Sequence, residues 1–377
     1  MRILFTGGGT GGHVFPIIAI KSAFVPTVVG TSADKHDFYY LGPDSFAKEN
    51  FASQGIKNRF ILAGKFRRYF NLETPIDLIK IFIGIIQSFW DLFFIMPDVI
   101  FSKGGYGSFP VVFVGWVYRI PIILHESDSS PGLANKILAK LADKIILSFP
   151  SSEKYFSKYQ DKLVLIGNPI REELTQGDKN QGKGLFKITS DKPVILILGG
   201  SQGAQKINEI ILNTLPRLLE IAEVIHITGE GNVKLVNQEA SKILKPYGNL
   251  KQFYHLTGFL NVEQLKHAYA MADLIINRAG AGSIFEIAAC GKPSILIPLP
   301  NSAQDHQRKN AYDLAQTGGA VVLEQENLTP NIFLDEISRI LGNASKIQEM
   351  AQKAKSFYKP NIAEKIRDEI IKLAQKS

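Results

Sequence analysis

Four short apolar runs in this chain each end in a glycine-rich turn and lead into a helical stretch. That repeated unit restricts the fold more than any other feature. Ile3-Leu4-Phe5 runs through Thr6 into Gly7-Gly8-Gly9-Thr10-Gly11-Gly12-His13, and Val99–Ser102 into Lys103-Gly104-Gly105-Tyr106-Gly107-Ser108. Val194–Leu198 runs into Gly199-Gly200-Ser201-Gln202-Gly203-Ala204, and Leu274–Asn277 into Arg278-Ala279-Gly280-Ala281-Gly282-Ser283. Continuous apolar, β-branched runs are the pattern of parallel strands covered on both faces. Further runs of this kind are Phe38–Leu41, Ile120–His125, Lys144–Ser148, Leu163–Ile166, Val224–Thr228, Ser294–Pro298 and Ala320–Leu323, with Arg2–Phe5 opening the series. Strands alternating with helices predict a doubly wound α/β architecture, in which ligands bind beyond the carboxyl ends of the strands, where the glycines lie.

A glycine turn before a helix suits a phosphate. Without a Cβ the backbone N–H groups approach closely, and the helix N-terminus adds orphan donors and partial positive charge. Gly7-x-Gly9-x-x-Gly12 also matches the dinucleotide fingerprint, though one such match arises easily in any glycine-rich turn. Four turns in one chain of 377 residues, too long for a single ordinary core, instead predict two facing units with phosphate-binding edges. The break is expected near Gly167-Asn168-Pro169, giving domains over 1–167 and 168–357. The tail, 358–377, reads as an amphipathic helix with Ile362, Ile366, Ile370 and Leu373 on one face.

The net charge of +8 points to an anionic partner, which the motifs assign to nucleotide phosphates and a membrane surface, not to nucleic acid. A single cysteine, Cys290 in an apolar segment, excludes an internal disulfide and reads as a buried thiol. The N-terminus enters a strand directly, without the charged and apolar regions of a leader peptide, so a cytoplasmic protein is expected.

Ile76 to Met96 is apolar enough to resemble a membrane span, but Asp77, Lys80, Gln87, Ser88 and Asp91 fall on one side of a helix. A lone spanning helix is poorly served by two carboxylates and a lysine, so a buried or interface-lying helix with a narrow polar stripe is expected. Before it, Lys57 to Leu72 holds Lys57, Arg59, Lys65, Arg67 and Arg68 without an acid, interleaved with Phe66, Tyr69 and Phe70. This mixture suggests docking on an anionic membrane, the alternative being a core helix beside a solvated loop.

Several residue groups are placed to do chemistry. His13 leaves the first turn with a titratable imidazole. His125-Glu126-Ser127-Asp128 ends a strand, where Glu126 or Asp128 is a candidate general base or could orient a histidine; Asp128 to Ser130 before Pro131 also reads as a helix cap. Gly199-x-Ser201-x-Gly203 matches a hydrolase nucleophile elbow, but it leaves the other three turns idle and finds no persuasive acid and histidine downstream, so Ser201 reads as a phosphate ligand. No metal-ligand spacing is present, so a departing pyrophosphate would be met by N–H groups, helix dipoles and an arginine such as Arg171 or Arg278.

Taken in order, Gly8-Gly9-Thr10-Gly11-Gly12-His13, Gly104-Gly105-Tyr106, His125-Glu126, Gly167-Asn168-Pro169-x-Arg171, Gly199 to Ala204, and Arg278-x-Gly280-Ala281 with Glu286 closely resemble the MurG family of N-acetylglucosaminyltransferases, from Met1 to about Glu326. The resemblance implies a GT-B fold, two Rossmann-like domains facing across a cleft, with the last helix crossing back to the first. It implies an inverting transfer, without metal or cofactor, from UDP-N-acetylglucosamine to the C4 hydroxyl of the muramoyl sugar of lipid I, on the cytoplasmic face of the membrane. Within the same architecture, a glycolipid glycosyltransferase and a UDP-N-acetylglucosamine epimerase are the alternatives. A serine hydrolase and a non-catalytic membrane-bound nucleotide sensor are the readings from other classes.

Carried over, Ser201, Gln202, Gly203 and Arg171 would meet the donor diphosphate, and Glu286 the ribose. Phe259 and Leu260 would read the uracil. Ala281, Gly282, Ser283, Ile284 and Phe285 would line the nucleotide, with Gln307 near the sugar. Thr10, Gly11 and Gly12 would face the reacting sugars, and Asp128 and Asn135 would touch substrate. His13 ranks first as the base, ahead of Glu126 and His125. Ser102 stands where the family commonly has glycine, Gly107 where it has valine, and Asp128 where several relatives have asparagine.

Overall fold

A computed structural model describes residues 1–24, 36–43, 47–64, 74–199 and 204–376, without the side chains of Ala47 and Glu49. Two compact units emerge, Met1–Arg171 with Asn361–Ser377, and Glu172–Pro360. Unit 1 contains strands β1 (Arg2–Thr6), β2 (Asp37–Gly42), β3 (Lys57–Phe60), β4 (Val99–Ser102), β5 (Ile122–Glu126), β6 (Lys144–Leu147) and β7 (Leu163–Leu165). Its helices are α1 (Gly11–Ser22), α2 (Ala47–Ala52), α3 (Thr74–Ile95), α4 (Phe109–Val117) and α5 (Leu133–Leu138). Unit 2 contains β8 (Val194–Leu198), β9 (Glu223–Ile227), β10 (Tyr254–Thr257), β11 (Leu274–Asn277), β12 (Ser294–Leu296) and β13 (Ala320–Val322). Its helices are α6 (Lys179–Phe186), α7 (Gln205–Ile221), α8 (Glu230–Leu244), α9 (Val262–Met271), α10 (Ala281–Ala289), α11 (His306–Gln316), α12 (Pro330–Leu341) and α13 (Ala344–Phe357), and α14 (Ile362–Ala374) follows.

Each unit has one parallel sheet, ordered β3-β2-β1-β4-β5-β6-β7 in unit 1 and β10-β9-β8-β11-β12-β13 in unit 2. This is the doubly wound order, and strand succession reverses between β1 and β4 and between β8 and β11. The register sets Thr6 beside Ser102 and Leu198 beside Asn277. The first and second glycine turns therefore emerge side by side, and the ends of β8 and β11 are likewise adjacent. The central strands are buried throughout, including Ile3, Leu4, Phe5, Ile100 and Phe101 in unit 1 and Ile195, Leu196, Ile275 and Ile276 in unit 2. Helices must therefore cover both faces of each sheet.

Two strands, β3 and β10, lie outside the pattern read from the sequence. Both are at sheet edges, and their residues are exposed or half-buried in place of the continuous burial of the centre. An edge strand covered on one side needs no continuous apolar run, so its sequence carries a weaker signal. Placing Lys57 and Arg59 in β3 also revises the acid-free basic stretch. Lys57 Nζ donates to Asp37 Oδ1 at 3.0 Å, and Arg59 Nη1 to Asp91 Oδ1 at 2.6 Å. Lys65, Phe66, Arg67, Arg68, Tyr69 and Phe70 lie outside the described residues.

Helix α3 turns its polar stripe inward except at Lys80, which is exposed. Asp77, Ile81, Gly84, Ser88, Leu92 and Ile95 are its buried residues. Gln87 Oε1 accepts the Leu62 N–H at 2.8 Å. A Cβ on Gly84 would fall 2.0 Å from the Leu62 carbonyl oxygen, so glycine is needed for this close approach. The narrow stripe is thus the docking face, and the broad apolar face points outward: Phe82 is 65% exposed, Trp90 56% and Phe94 67%.

Helix α14 belongs to unit 1. Ile362, Ala363, Ile366 and Ile370 are buried on one face, and the helix packs against α1. Arg367 Nη1 donates to the Ala23 carbonyl at 2.8 Å, and Lys144 pairs with Glu369. Ile366 is fully buried, so Ile366→Ala is expected to destabilise unit 1 by about 2–5 kcal/mol, read as a lower urea midpoint at an unchanged m-value.

Candidate active site

The first two turns build one pocket wall around His13. Thr10 is the N-cap of α1, and its hydroxyl bonds Nδ1 of His13 at 3.0 Å rather than a helix N–H. The ring lies against glycine on both sides. A Cβ on Gly8 would stand 2.9 Å from its Cε1, and one on Gly105 3.3 Å from its Nε2. Gly105 also has φ of 80°, which a side chain would strain. When Nδ1–H donates to the Thr10 oxygen, Nε2 keeps its lone pair beside Gly105. Burial, and then the charge of Lys103, push the imidazole down to about 4, partly opposed by Asp128. His13 is therefore neutral across the ordinary pH range and can accept a proton.

Beneath this wall lies a layer of buried polar groups. His125 is fully buried, with both ring nitrogens occupied: Nδ1 meets Lys103 Nζ at 2.7 Å, while Nε2 meets the Gly167 carbonyl at 3.0 Å and Ser148 Oγ at 3.1 Å. Burial and the Lys103 charge hold it well below the usual histidine range. Of the three base candidates, His125 is the most deeply buried.

Glu126 is also buried. Its Oε1 accepts the Asp128 N–H at 2.9 Å and its Oε2 the Asn135 amide at 2.7 Å, while Asn135 Oδ1 accepts the Gly105 N–H at 2.9 Å. Glu126 and Asn135 thus form a brace that fixes the second turn. Gly104 closes on the same amide, since a Cβ there would fall 2.2 Å from Asn135 Oδ1. Burial, then Asp128, raises the Glu126 carboxyl above the usual carboxylate range. Lys103 had no role in the sequence reading, yet it organises this layer. The sequence signal was a lysine inside a glycine turn at the end of an apolar strand.

The two arginines part ways. Arg171 stacks on the Phe15 ring of α1, its guanidinium carbon 4.4 Å from the centroid, a cation–π contact on the His13 helix. Arg278 is committed elsewhere: Nη1 donates to the Ile297 and Pro298 carbonyls at 3.0 and 3.3 Å, and Nη2 to Gln325 Oε1 at 2.8 Å. It holds strand ends together and is not presented to a phosphate.

In unit 2, Ser201, Gln202 and Gly203 lie outside the described residues. At the neighbouring turn, the helical period of α10 sends Ala281, Ile284 and Phe285 into the core, and the Ile284 N–H donates to the Gly280 carbonyl. At Ala281, Ile284 and Phe285 the side chains are buried and only the backbone is left to face a ligand. Gly282, Ser283 and Glu286 occupy the half-buried side, where Tyr269 OH donates to Glu286 Oε2 at 3.4 Å. Phe259 is largely exposed beside the buried Leu260. Gln307 Oε1 accepts the Leu299 N–H at 3.0 Å, tying α11 to the segment after β12. That segment was not singled out from the sequence, yet Asn301, Gln304 and Asp305 all have positive φ. Three non-glycine residues in the left-handed region mark stored strain of the kind that gathers at ligand sites.

Comparison with known proteins covers both units. The glycosyltransferase family 28 N-terminal domain matches residues 3–147, and the glycosyltransferase family 28 C-terminal domain matches residues 194–366. The chain is 37% identical over 347 residues to the UDP-N-acetylglucosamine–N-acetylmuramyl-(pentapeptide) pyrophosphoryl-undecaprenol N-acetylglucosamine transferase of Clostridium tetani, covering 92% of this chain and 91% of that one. It is 38% identical to the Legionella pneumophila protein of the same name, over 92% and 90%. Among solved structures, Acinetobacter baumannii MurG aligns with a TM-score of 0.74 at 25% identity, over 98% of this chain and 99% of that one. The UDP-GlcNAc 2-epimerase of Neisseria meningitidis aligns at 0.69 with 13% identity, a likeness of fold.

The brace under the second turn gives a direct test. Asn135→Ala leaves the Gly105 N–H and one Glu126 oxygen without their partner, and is expected to cost about 2–4 kcal/mol in thermal or urea unfolding.

Proposed function

The chain belongs to the MurG family, the UDP-N-acetylglucosamine–N-acetylmuramyl-(pentapeptide) pyrophosphoryl-undecaprenol N-acetylglucosamine transferases, and we infer that it transfers N-acetylglucosamine from UDP-N-acetylglucosamine to lipid I, releasing UDP and lipid II. This is a step of peptidoglycan synthesis, on which cell-wall growth, shape and division depend. Sequence identity near 37% over nine-tenths of the chain supports this reading over an epimerase, which is matched in fold at 13%.

The single observation that supports the chemistry is the His13 site: a neutral imidazole whose Nδ1 is engaged by Thr10, so that with the proton on Nδ1 the lone pair lies on Nε2. In the mechanism we propose, Nε2 takes the proton of the acceptor C4 hydroxyl as its oxygen attacks the anomeric carbon. The bond to the UDP oxygen breaks on the opposite face, inverting the centre. UDP leaves with the electron pair of the broken bond, and hydrogen-bond donors and an arginine are the groups that would meet its charge. Gly11 and Gly12 present the start of α1 to the acceptor. Asp128 stands beside the acceptor position; Glu126, Asn135 and His125 hold the turn in place. On unit 2, Gly282 and Ser283 line the nucleotide, Glu286 binds the ribose, the backbone at Phe259-Leu260 reads the uracil, and Gln307 lies near the sugar.

The acceptor carries an undecaprenyl chain, so the enzyme must work at a bilayer. We propose that unit 1 docks peripherally on the anionic cytoplasmic membrane surface through α3. The helix is long and apolar enough to cross a bilayer, but its inward stripe is engaged along the unit. The outward side carries Ile76, Leu78, Ile79, Phe82, Ile86, Phe89, Trp90, Phe93 and Phe94, and an apolar face of this kind lies in an interface.

Incubation with UDP-N-acetylglucosamine and a lipid I analogue should yield UDP and the disaccharide lipid in equal amounts; UDP release without disaccharide would refute the transferase assignment. His13→Ala is expected to lower kcat by about 10²–10⁴ with donor binding retained. In the native enzyme, kcat/KM should hold on acidification through the ordinary histidine range, because the imidazole protonates only near pH 4. Replacing Phe82, Trp90 and Phe94 together with serine is expected to release the protein from anionic vesicles in a flotation assay; undiminished binding would contradict the docking model.

A further inference from the structure

Among the described residues of unit 1, Lys103 is the most deeply buried charged side chain, and the proposed chemistry leaves it unused. It follows β4 directly, its N–H donating to the Thr6 carbonyl at 2.8 Å, and its side chain is 1% exposed. The ammonium meets His125 Nδ1 at 2.7 Å, Ser127 Oγ at 2.6 Å and Asn168 Oδ1 at 3.0 Å. These three contacts match its three donors, and none of the partners is a carboxylate. Burial pushes the Lys103 ammonium down to about 7, and Asp128 and Glu126 oppose that shift, so its positive field is only partly offset.

That field falls on His13. A Cβ at Gly7 would lie 3.2 Å from Lys103 Cβ and 3.5 Å from His13 Cβ, so both side chains leave from either side of one glycine. Two residues beyond Lys103, Gly105 lies under Nε2 of the imidazole. The other titratable groups around the pair are Glu126 and Asp128 from the end of β5, buried His125, and Arg171 stacked on Phe15. Asp128 favours charge on both His13 and Lys103, Glu126 favours it on Lys103, and the lysine opposes it on His13.

We propose that Lys103 is a positioning residue for the transfer: its side chain ties β4, β5 and the Gly167-Asn168 turn together and, when protonated, tunes down the basicity of the His13 imidazole beside it. The same cation accounts for the direction of the His13 shift after burial, and it selects the His125 tautomer, since Nδ1 must accept and Nε2–H must donate to the Gly167 carbonyl. This inference rests on the assignment of His13 as the base.

The test is a histidine side-chain NMR titration run beside the pH profile of kcat/KM, on the full chain and on three variants. Lys103→Met removes the charge at similar length, and Asn168→Asp keeps the shape but cancels the field with a carboxylate. Both should move the His13 titration and the acid limb of kcat/KM upward by about one pH unit, while Lys103→Arg, if folded, should hold both near the native position. A folded Lys103→Met or Asn168→Asp protein whose His13 titrates as in the native chain would overturn the proposal. A His13 titration that moves while the kcat/KM limb stays fixed would instead overturn His13 as the base and leave the Lys103 coupling standing. Should Lys103→Met fail to fold, Asn168→Asp carries the same two readouts.

Discussion

The parallel pairing of β1 with β4 is the constraint on which unit 1 depends. Thr6 opposite Ser102 means that two chain segments nearly a hundred residues apart leave the sheet at the same place. Each then needs glycine, because the turns must pass one another and admit the His13 ring between them. The β8–β11 pairing repeats the arrangement in unit 2, with Leu198 opposite Asn277. Both junctions fall where strand succession reverses, the crevice a doubly wound sheet provides without further design.

The site wall is stiff because its support is polar and buried, yet paired. Glu126, Asn135 and the Gly105 N–H form one chain of bonds; Lys103, His125, Ser148 and the Gly167 carbonyl form another. Each member lost would strand its partner in a low-dielectric interior, so the layer is specific as well as stabilising. The price is a set of ionisable groups displaced from their ordinary protonation behaviour. Displaced groups beside an accessible imidazole are what acid–base chemistry requires.

Helix α3 shows that a narrow polar stripe on an apolar helix can be its docking face. Of its polar stripe, Asp77, Gln87, Ser88 and Asp91 face the unit, where Gln87 bonds the Leu62 N–H and Asp91 bonds Arg59 of β3, while Lys80 is exposed. Gly84 lets the helix come close enough for those bonds. The apolar majority is left on the outside, the reverse of a soluble surface helix and consistent with an acceptor held in lipid.

The sequence by itself determined the α/β class, the central strands, the four turns and the order of motifs that carries the family resemblance. These rest on local signals: continuous apolar runs, and glycines where a backbone must bend or approach closely. The edge strands β3 and β10 escaped it because a strand covered on one side needs no such run. Only the tertiary structure decided which turns stand side by side, which acids answer Lys57 and Arg59, and that Ile284 and Phe285 face the core. It also separated three candidate bases that the sequence could only rank, leaving His13 at the wall, Glu126 in a brace and His125 enclosed. The reason is that burial and charge coupling are set by neighbours distant in the chain. Lys103 is a lysine in a glycine turn until β5 and the Gly167-Asn168 turn close around it.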